Sequence, residues 1–82
     1  MSQKGRTPDE KFLIQLYRCA MERGDPHAEI ELQEIASALA QKEIAVKNIV
    51  KHLAQANFIK KVDGASIHLT PHGANFVLDE LE

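Results

Sequence analysis

Residues 30–59 read IELQEIASALAQKEIAVKNIVKHLAQANFI, and this stretch decides the fold of the chain. Two sets of apolar side chains within it follow the i, i+3, i+4, i+7 spacing of a helix with one buried face. They are Leu32, Ile35, Ala36 and Leu39, followed by Val46, Ile49, Val50 and Leu53. Residues 40–43, between the two predicted helices, are long enough only for a turn. The stretch therefore predicts two short helices joined at a tight corner, each too short to be stable without the rest of the chain.

Three short motifs lie in and directly after these two helices. Residues 34–39 read Glu-Ile-Ala-Ser-Ala-Leu, apolar residues follow that leucine seven, eleven and fourteen places later, and residues 56–59 read Ala-Asn-Phe-Ile. Together they resemble the winged helix-turn-helix superfamily of DNA-binding domains, which commonly has Glu-Leu-Ala-x-x-Leu in the first helix and Ala-Gly-Leu-Ile after the second. Asn57 stands where the family has glycine, and asparagine tolerates the left-handed backbone expected there. Gln41 departs from the aliphatic residue that the family buries in the turn, and Ile44 is the candidate to fill that space.

Length and composition indicate one small globular domain. The chain has 82 residues, of which 44% are hydrophobic and 27% charged, as in ordinary soluble proteins. No apolar run approaches the roughly 18 residues that a membrane span needs, and no signal peptide is visible. Cys19 is the single cysteine, so no internal disulfide forms. We therefore expect a cytoplasmic chain without a membrane partner.

Charge is unevenly distributed along the chain. Residues 41–62 contain five lysines and only one acidic residue, Glu43, although the whole chain has a net charge of −2. Local charge, rather than net charge, sets the field that a phosphate backbone experiences. The lysines therefore favour a nucleic-acid surface, and a helix face kept soluble by lysine remains the alternative.

The chain is expected to begin with a flexible tail, residues 1–6, followed by a single domain over residues 7–82. Helix 1 is predicted over residues 8–23, with Thr7 as its cap, Pro8 in the first position and Glu10 closing a capping box. Gly24 follows the predicted end of the helix. The predicted buried stripe consists of Phe12, Leu13, Leu16, Tyr17 and Ala20.

The next helices are predicted over residues 31–40 and 43–56, after a short strand at residues 28–30. Helix 3 resembles the recognition helix of the family, and its polar face contains the candidate DNA-binding side chains. These are Lys42, Lys47, Asn48, Lys51, His52 and Gln55. Lysines bind phosphates, and Asn48 has the chemistry for a bidentate contact with an adenine edge in the major groove. A solvated polar helix face would have a similar composition.

The wing is predicted over residues 58–69. Two strands, residues 58–62 and 66–69, are expected to meet at Asp63-Gly64, because both positions of a tight hairpin turn can take a positive φ there. Lys60 and Lys61 are further candidate DNA-binding residues, and alternation along the strand places them on opposite faces. The wing tip contains neither arginine nor lysine, which argues against deep insertion into a minor groove.

A last helix is predicted over residues 71–81, with Thr70 as its cap. Residues 69–73 also resemble the Leu-Thr-x-x-Gly segment that follows the wing in the family. One face of this helix is expected to carry Ala74, Val77, Leu78 and Leu81. That face either packs on helix 1 or, with helix 1, forms a homodimer interface. The resemblance implies an α+β, mainly α fold: a three-helix core, a two- or three-stranded β wing and a C-terminal helix.

Catalytic, cofactor and metal sites are not indicated. The sequence has no Gly-rich phosphate loop, no nucleophile-elbow motif and no telling pair of carboxylates. Its four histidines fall in different predicted elements, so we expect no enzyme activity, no cofactor and no metal site. Cys19 is expected to be a packed side chain rather than a reactive thiol.

Two functions fit these features. The first is a small transcriptional regulator that binds double-stranded DNA through helix 3, supported by Lys60 and Lys61. The second is a winged helix that serves as a protein-interaction module in a larger assembly, because fold does not determine function. Its partner surface would be formed by Phe76 and Leu78, or by Glu29, Glu31 and Glu34.

Overall fold

The computed structural model describes residues 7–81, which form four helices and one three-stranded antiparallel sheet. In chain order these are α1 (Pro8–Glu22), β1 (Ile30–Glu31), α2 (Leu32–Leu39), α3 (Glu43–Gln55), β2 (Ile59–Lys61), β3 (Ser66–Leu69) and α4 (Pro71–Leu81). The architecture confirms the expected winged-helix fold class. The predicted tail, residues 1–6, lies outside the described residues. No helix within residues 7–81 is both long and apolar enough to cross a membrane.

Helix α1 begins at the capping box that the sequence predicts. The Thr7 hydroxyl accepts a hydrogen bond from the Glu10 amide at 3.1 Å, and the Glu10 carboxylate accepts one from the Thr7 amide at 3.0 Å. The helix ends at Glu22, and Gly24 follows with a φ of 83°. The amides of Gly24 and Asp25 donate back to carbonyls of the last turn, which is the Schellman arrangement.

Helix α1 lies against the other helices and the sheet, and its buried face is wider than predicted. Ile14 and Cys19 are buried together with most of the predicted stripe, whereas Tyr17 is only partly buried. Burial raises the pKa of the Cys19 thiol; the Gln15 hydrogen bond opposes this shift, and the charges of Glu34 and Glu22 add to it. The thiol is therefore a packed group, as expected, and not an activated nucleophile.

The corners after α2 and α3 both use a left-handed residue. Ala40 has a φ of 55° and Asn57 a φ of 65°. At each corner this residue and the next donate their amides back into the last helical turn, as at the end of α1. The left-handed conformation predicted for Asn57 is confirmed. That of Ala40 was not predicted, because alanine has no side chain that favours it.

The sheet has the strand order β1-β3-β2. Ile30 of β1 lies opposite Ile67, and Ile59 of β2 lies opposite Leu69. These four side chains are buried, so one face of the sheet covers the core. Strand β1 starts two residues later than the predicted strand at residues 28–30. Glu31 is both the last residue of β1 and the N-cap of α2, where its side chain makes no capping hydrogen bond.

The wing turn differs from the predicted two-residue hairpin. Neither Asp63 nor Gly64 has a positive φ, so the expected turn geometry is wrong. Instead, the Asp63 carboxylate accepts hydrogen bonds from the amides of Ala65 at 2.8 Å and Ser66 at 3.0 Å. The side chain thus organises the loop in the way that Asx turns do. The loop closes where the Val62 amide donates to the Ser66 carbonyl.

Thr70 joins the end of α3 to the start of α4. Its hydroxyl donates to the Asn57 carbonyl at 2.6 Å and accepts from the Gly73 amide at 3.0 Å, so the predicted cap is confirmed. Its own amide donates to the carbonyl of Phe58. These bonds draw α4 so close that a Cβ atom on Gly73 would lie 2.0 Å from the Phe58 oxygen. The Leu-Thr-x-x-Gly motif is therefore explained by packing in this chain. Thr70 hydrogen-bonds the end of α3 to the start of α4, and Gly73 leaves room for the carbonyl of Phe58.

Helix α4 packs on α1 and β3 with part of its predicted apolar face. Ala74 and Val77 are buried, whereas Leu78 and Leu81 are 44% and 42% exposed, so the chain itself covers two of the four residues of the predicted face. Leu81 lies one turn beyond Val77, where the core has ended, and Leu78 lies at the edge of the face. The two leucines remain as exposed apolar surface near the end of the helix.

Candidate nucleic-acid interface

The orientation of α3 follows from its four buried side chains, Val46, Ile49, Val50 and Leu53. Because a helix turns about 100° per residue, the opposite side of α3 faces away from the core. All six candidate residues of this region are exposed: Lys42, Lys47, Asn48, Lys51, His52 and Gln55. Lys42 is the residue at the N-cap position, and the other five lie within the helix. The structure therefore brings the five helical residues together on one face, with Lys42 at its N-terminal end.

The outermost line along this surface consists of Ile44, Asn48, Lys51 and Gln55, hereafter the outer ridge. Their i, i+4, i+7, i+11 spacing keeps them in one row. Lys47 and His52 flank the row on either side. The outer ridge begins at the N-terminal turn of α3, which in helix-turn-helix proteins is the part that reaches base edges.

Ile44 is 71% exposed, so the expectation that it fills the turn is wrong. The reason is geometric: α3 begins at Glu43, and Ile44 precedes buried Val46 by two residues, which is about 200° around the helix. Gln41 stays in the turn, and its buried Oε1 atom has no hydrogen-bond partner in the described part of the chain. The sequence contained the signal for the exposure of Ile44, because the predicted helix already placed it opposite Val46.

Lys60 and Lys61 are exposed on β2 but point to opposite sides of the sheet. Lys60 lies opposite His68, and Lys61 lies opposite Ile67 on the side that covers the core. This register agrees with the alternation expected from the sequence. The two lysines therefore extend the basic region in two different directions.

A groove lies between α2, the start of α3 and the wing loop, and its volume is about 550 Å³. Apolar parts of its wall come from Leu32, Ala36 and Val46. Polar groups of both charge signs line it as well, including Lys47 and Glu43. The predicted apolar residues were all assigned to the core, so the sequence indicated no such groove. It forms because the wing loop is hydrogen-bonded to the start of α2 through the Ala65 carbonyl and the Leu32 amide, at 2.8 Å.

The histidines are less scattered than the sequence suggested. The Nδ1 atoms of His27 and His68 lie 2.8 and 3.0 Å from the same carbonyl oxygen, that of Leu69. His72 stacks on Phe58 with 4.6 Å between ring centroids. Only His52 belongs to the surface of α3. Within residues 7–81 no three His, Cys, Asp or Glu side chains come together as a metal-binding group.

The acidic side of the molecule contains an ion pair. Arg23, just after α1, contacts the Glu34 carboxylate of α2 at 2.9 Å and donates to the Glu29 carbonyl at 3.1 Å. Glu34 is therefore already engaged within the chain.

The other candidate partner surface contains Phe76 and Leu78. Phe76 is partly buried, and its ring centroid lies 5.1 Å from that of Phe58.

Comparison with solved structures identifies a neighbour with the same fold. The crystal structure of T. acidophilum IdeR superposes with a TM-score of 0.78 at 22% sequence identity. The match covers 96% of this chain but 35% of the IdeR chain, so this chain spans about a third of that protein. No protein-family model and no curated protein matches the sequence. At this identity the similarity establishes a winged-helix fold, and function has to be argued from the surface of α3.

Proposed function

We propose that this chain is a DNA-binding winged-helix domain that acts in transcriptional regulation by placing α3 in the major groove. The observation that carries the proposal is the exposed surface of α3. Lys42, Lys47 and Lys51 are all exposed there, and none of them forms an ion pair within residues 7–81. Lysines that are not neutralised internally attract a phosphate backbone.

Each candidate residue has a role in this proposal. Lys42, Lys47 and Lys51 contact phosphates on the strands that border the groove, and Asn48 reads an adenine edge from the outer ridge. His52 and Gln55 supply further polar contacts farther along α3. Lys60 and Lys61 contact phosphates from β2. If four or five lysines each neutralise a phosphate, a plot of the logarithm of the binding constant against the logarithm of salt concentration should have a slope of about −4.

The proposal also includes the cellular setting and the assembly. A cytoplasmic location suits a chain whose Cys19 is a free thiol. A homodimer through α1 and α4 would place two copies of α3 on two half-sites of one DNA duplex. Leu78 and Leu81 of α4 and Met21 of α1 are the exposed apolar side chains available for that contact.

The test is an amide chemical-shift titration with a mixed-sequence DNA duplex, first at low and then at physiological salt. We expect shifts concentrated in residues 42–55, and we expect them to weaken as salt screens the phosphate contacts. The double variant Lys47→Glu, Lys51→Glu should lose these shifts. An absence of shifts at low salt would contradict DNA binding.

A matched control separates local charge from net charge. Lys11 and Arg18 are exposed on α1, away from the outer ridge, and Lys11→Glu, Arg18→Glu changes the net charge by the same amount. This control should retain most of the binding. If both double variants bind as the unchanged chain does, α3 is not the DNA-binding surface.

The alternative is a winged helix that binds another protein. It is favoured by the net charge of −2, by a wing tip without lysine or arginine, and by the exposure of Leu78 and Leu81. In this case association with the partner would be insensitive to salt and would move resonances of α4 rather than α3. The titration above distinguishes the two, because DNA would then leave the spectrum unchanged.

A further inference from the structure

The outer ridge of α3 contains one side chain that phosphate contacts do not explain. Ile44 is 71% exposed, the highest exposed fraction among the large apolar side chains in the described range. It occupies the first turn of α3, opposite the core, and precedes Asn48 by one turn. An aliphatic side chain there gains nothing from water and makes no contribution to the core.

We infer that Ile44 is a specificity-determining residue that contacts the 5-methyl group of a thymine in the major groove. This inference rests on the proposed function. The thymine methyl is the apolar feature on the major-groove edge of the standard bases, and aliphatic side chains recognise it by van der Waals contact. Cytosine lacks this group at the same ring position, so the contact distinguishes thymine from cytosine.

The surroundings of Ile44 favour DNA over a protein as its contact. Lys47 follows it by three residues and so lies about one turn away on the same side of α3, and Lys51 lies farther along the outer ridge. A protein partner would have to desolvate these ammonium groups or pair them with acidic groups. A DNA groove presents phosphates at its borders and an apolar methyl group within it, which matches an isoleucine that shares its helix face with Lys47 and Lys51.

The neighbouring residue makes the inference more specific. Asn48 lies one helical turn beyond Ile44 on the same ridge, about 6 Å along the helix axis. Amide side chains such as Asn bind adenine N6 and N7 in the major groove. The preferred site should therefore contain a thymine and an adenine within a few base pairs of each other, read by Ile44 and Asn48 respectively.

The experiment starts from a pool of duplexes with a randomised core, from which the unchanged chain selects its preferred sequence. Each thymine of the enriched duplex is then replaced singly by deoxyuridine, which lacks only the 5-methyl group. At one or more positions the replacement should weaken binding by the unchanged chain by about fourfold, the factor expected for one buried methyl-sized group. The variant Ile44→Ala should bind the thymine and deoxyuridine duplexes equally.

A second variant serves as the matched control. Val62 is an exposed aliphatic residue at the wing, and Val62→Ala should retain the difference between thymine and deoxyuridine. Circular dichroism should show that both variants are folded, because neither side chain is buried. The unchanged chain and Ile44→Ala, each bound to the thymine and to the deoxyuridine duplex, give four binding constants. Together they isolate the contact between Ile44 and the methyl group from other effects of the substitution.

Three results would overturn the inference, and they are distinguishable from failure of the proposed function. If the unchanged chain binds every deoxyuridine duplex as well as the thymine duplex, Ile44 reads no methyl group, although DNA binding stands. The same conclusion follows if Ile44→Ala retains the full difference, or if the pool enriches no sequence while resonances of α3 still shift. If no duplex binds at all, both proposals fail together.

Discussion

At the scale of single residues, Gly73 illustrates how a contact between backbones restricts the sequence. Thr70 draws the start of α4 against the end of α3, and the carbonyl of Phe58 then occupies the space that a side chain at position 73 would need. Glycine is required here for close approach and not for an unusual φ, because Gly73 has no positive φ.

Gly73→Ala should therefore destabilise the fold by about 3 kcal/mol, because the added carbon would overlap the Phe58 oxygen and the backbone would have to move. Urea unfolding followed by circular dichroism measures the change. Gly64→Ala is the matched control: no atom lies within 4 Å of its added carbon, and its effect should be small. Equal stability of the two variants would contradict the close approach.

At the scale of elements, three helices end with the same pattern of backbone hydrogen bonds but with different residues in the left-handed position. These are Gly24 after α1, Ala40 after α2 and Asn57 after α3. Glycine takes this conformation without strain and asparagine tolerates it, whereas the Cβ atom of alanine costs about 1 kcal/mol. The corner between α2 and α3 is thus the strained one of the three, and it sets the direction of α3.

Ala40→Gly should stabilise the chain by about 0.5–1 kcal/mol, because removal of the Cβ atom relieves the strain by more than the added freedom of the unfolded state costs. Thermal and urea unfolding both report it. Ala38→Gly, within α2, is the control and should destabilise the chain by a similar amount. A loss of stability in Ala40→Gly would show that this corner is not strained.

At the scale of the whole molecule, opposite charges occupy different regions. The lysines of residues 42–61 lie on α3 and β2, whereas Glu29, Glu31 and Glu34 lie at and around the start of α2. Arg23 links α1 to this acidic region through its contact with Glu34, although such an exposed pair adds little stability. The consequence is a chain of low net charge whose local charge is positive along α3 and β2.

Leu78 and Leu81 provide the test of the proposed homodimer. The double variant Leu78→Asp, Leu81→Asp should weaken self-association by about tenfold or more, because it places charges in an apolar contact. Sedimentation velocity at increasing concentration measures the association. Val62→Asp is the control, since Val62 has the same 44% exposure as Leu78 but lies on the wing. An unchanged chain that remains monomeric at every concentration would refute the dimer.

Local signals in the sequence predicted the features that depend on neighbouring residues. Thr7 and Glu10 form their capping box because both partners lie within four consecutive residues, and Asn57 takes its left-handed conformation because the helix ends there. The exposure of the α3 lysines follows from helical periodicity once Val46 and Val50 are known to be buried. The candidate residues within α3 could therefore be assigned to one face of the helix from the sequence, whereas Lys60 and Lys61 fall on opposite sides of the sheet.

Features that depend on distant parts of the chain were predicted less well. Leu78 and Leu81 follow the same periodicity as Val77, but the core ends before it reaches them. The groove beside Lys47 requires the wing loop to meet α2, and His27 and His68 share the carbonyl of Leu69 only because of how the chain folds back. None of these relations leaves a periodic pattern in the sequence.

The sequence by itself determined the helices, the caps at Thr7 and Thr70, the position of the corner at residues 40–43 and the class of fold, because hydrophobic spacing and turn-forming residues act over a few positions. Only the tertiary structure decided how far each apolar stripe is covered, which carbonyl excludes a side chain at Gly73, and that Gln41 is half-buried in the turn. These outcomes depend on how closely elements approach one another. That distance is set by the packing of the whole core, which no short stretch of the chain specifies.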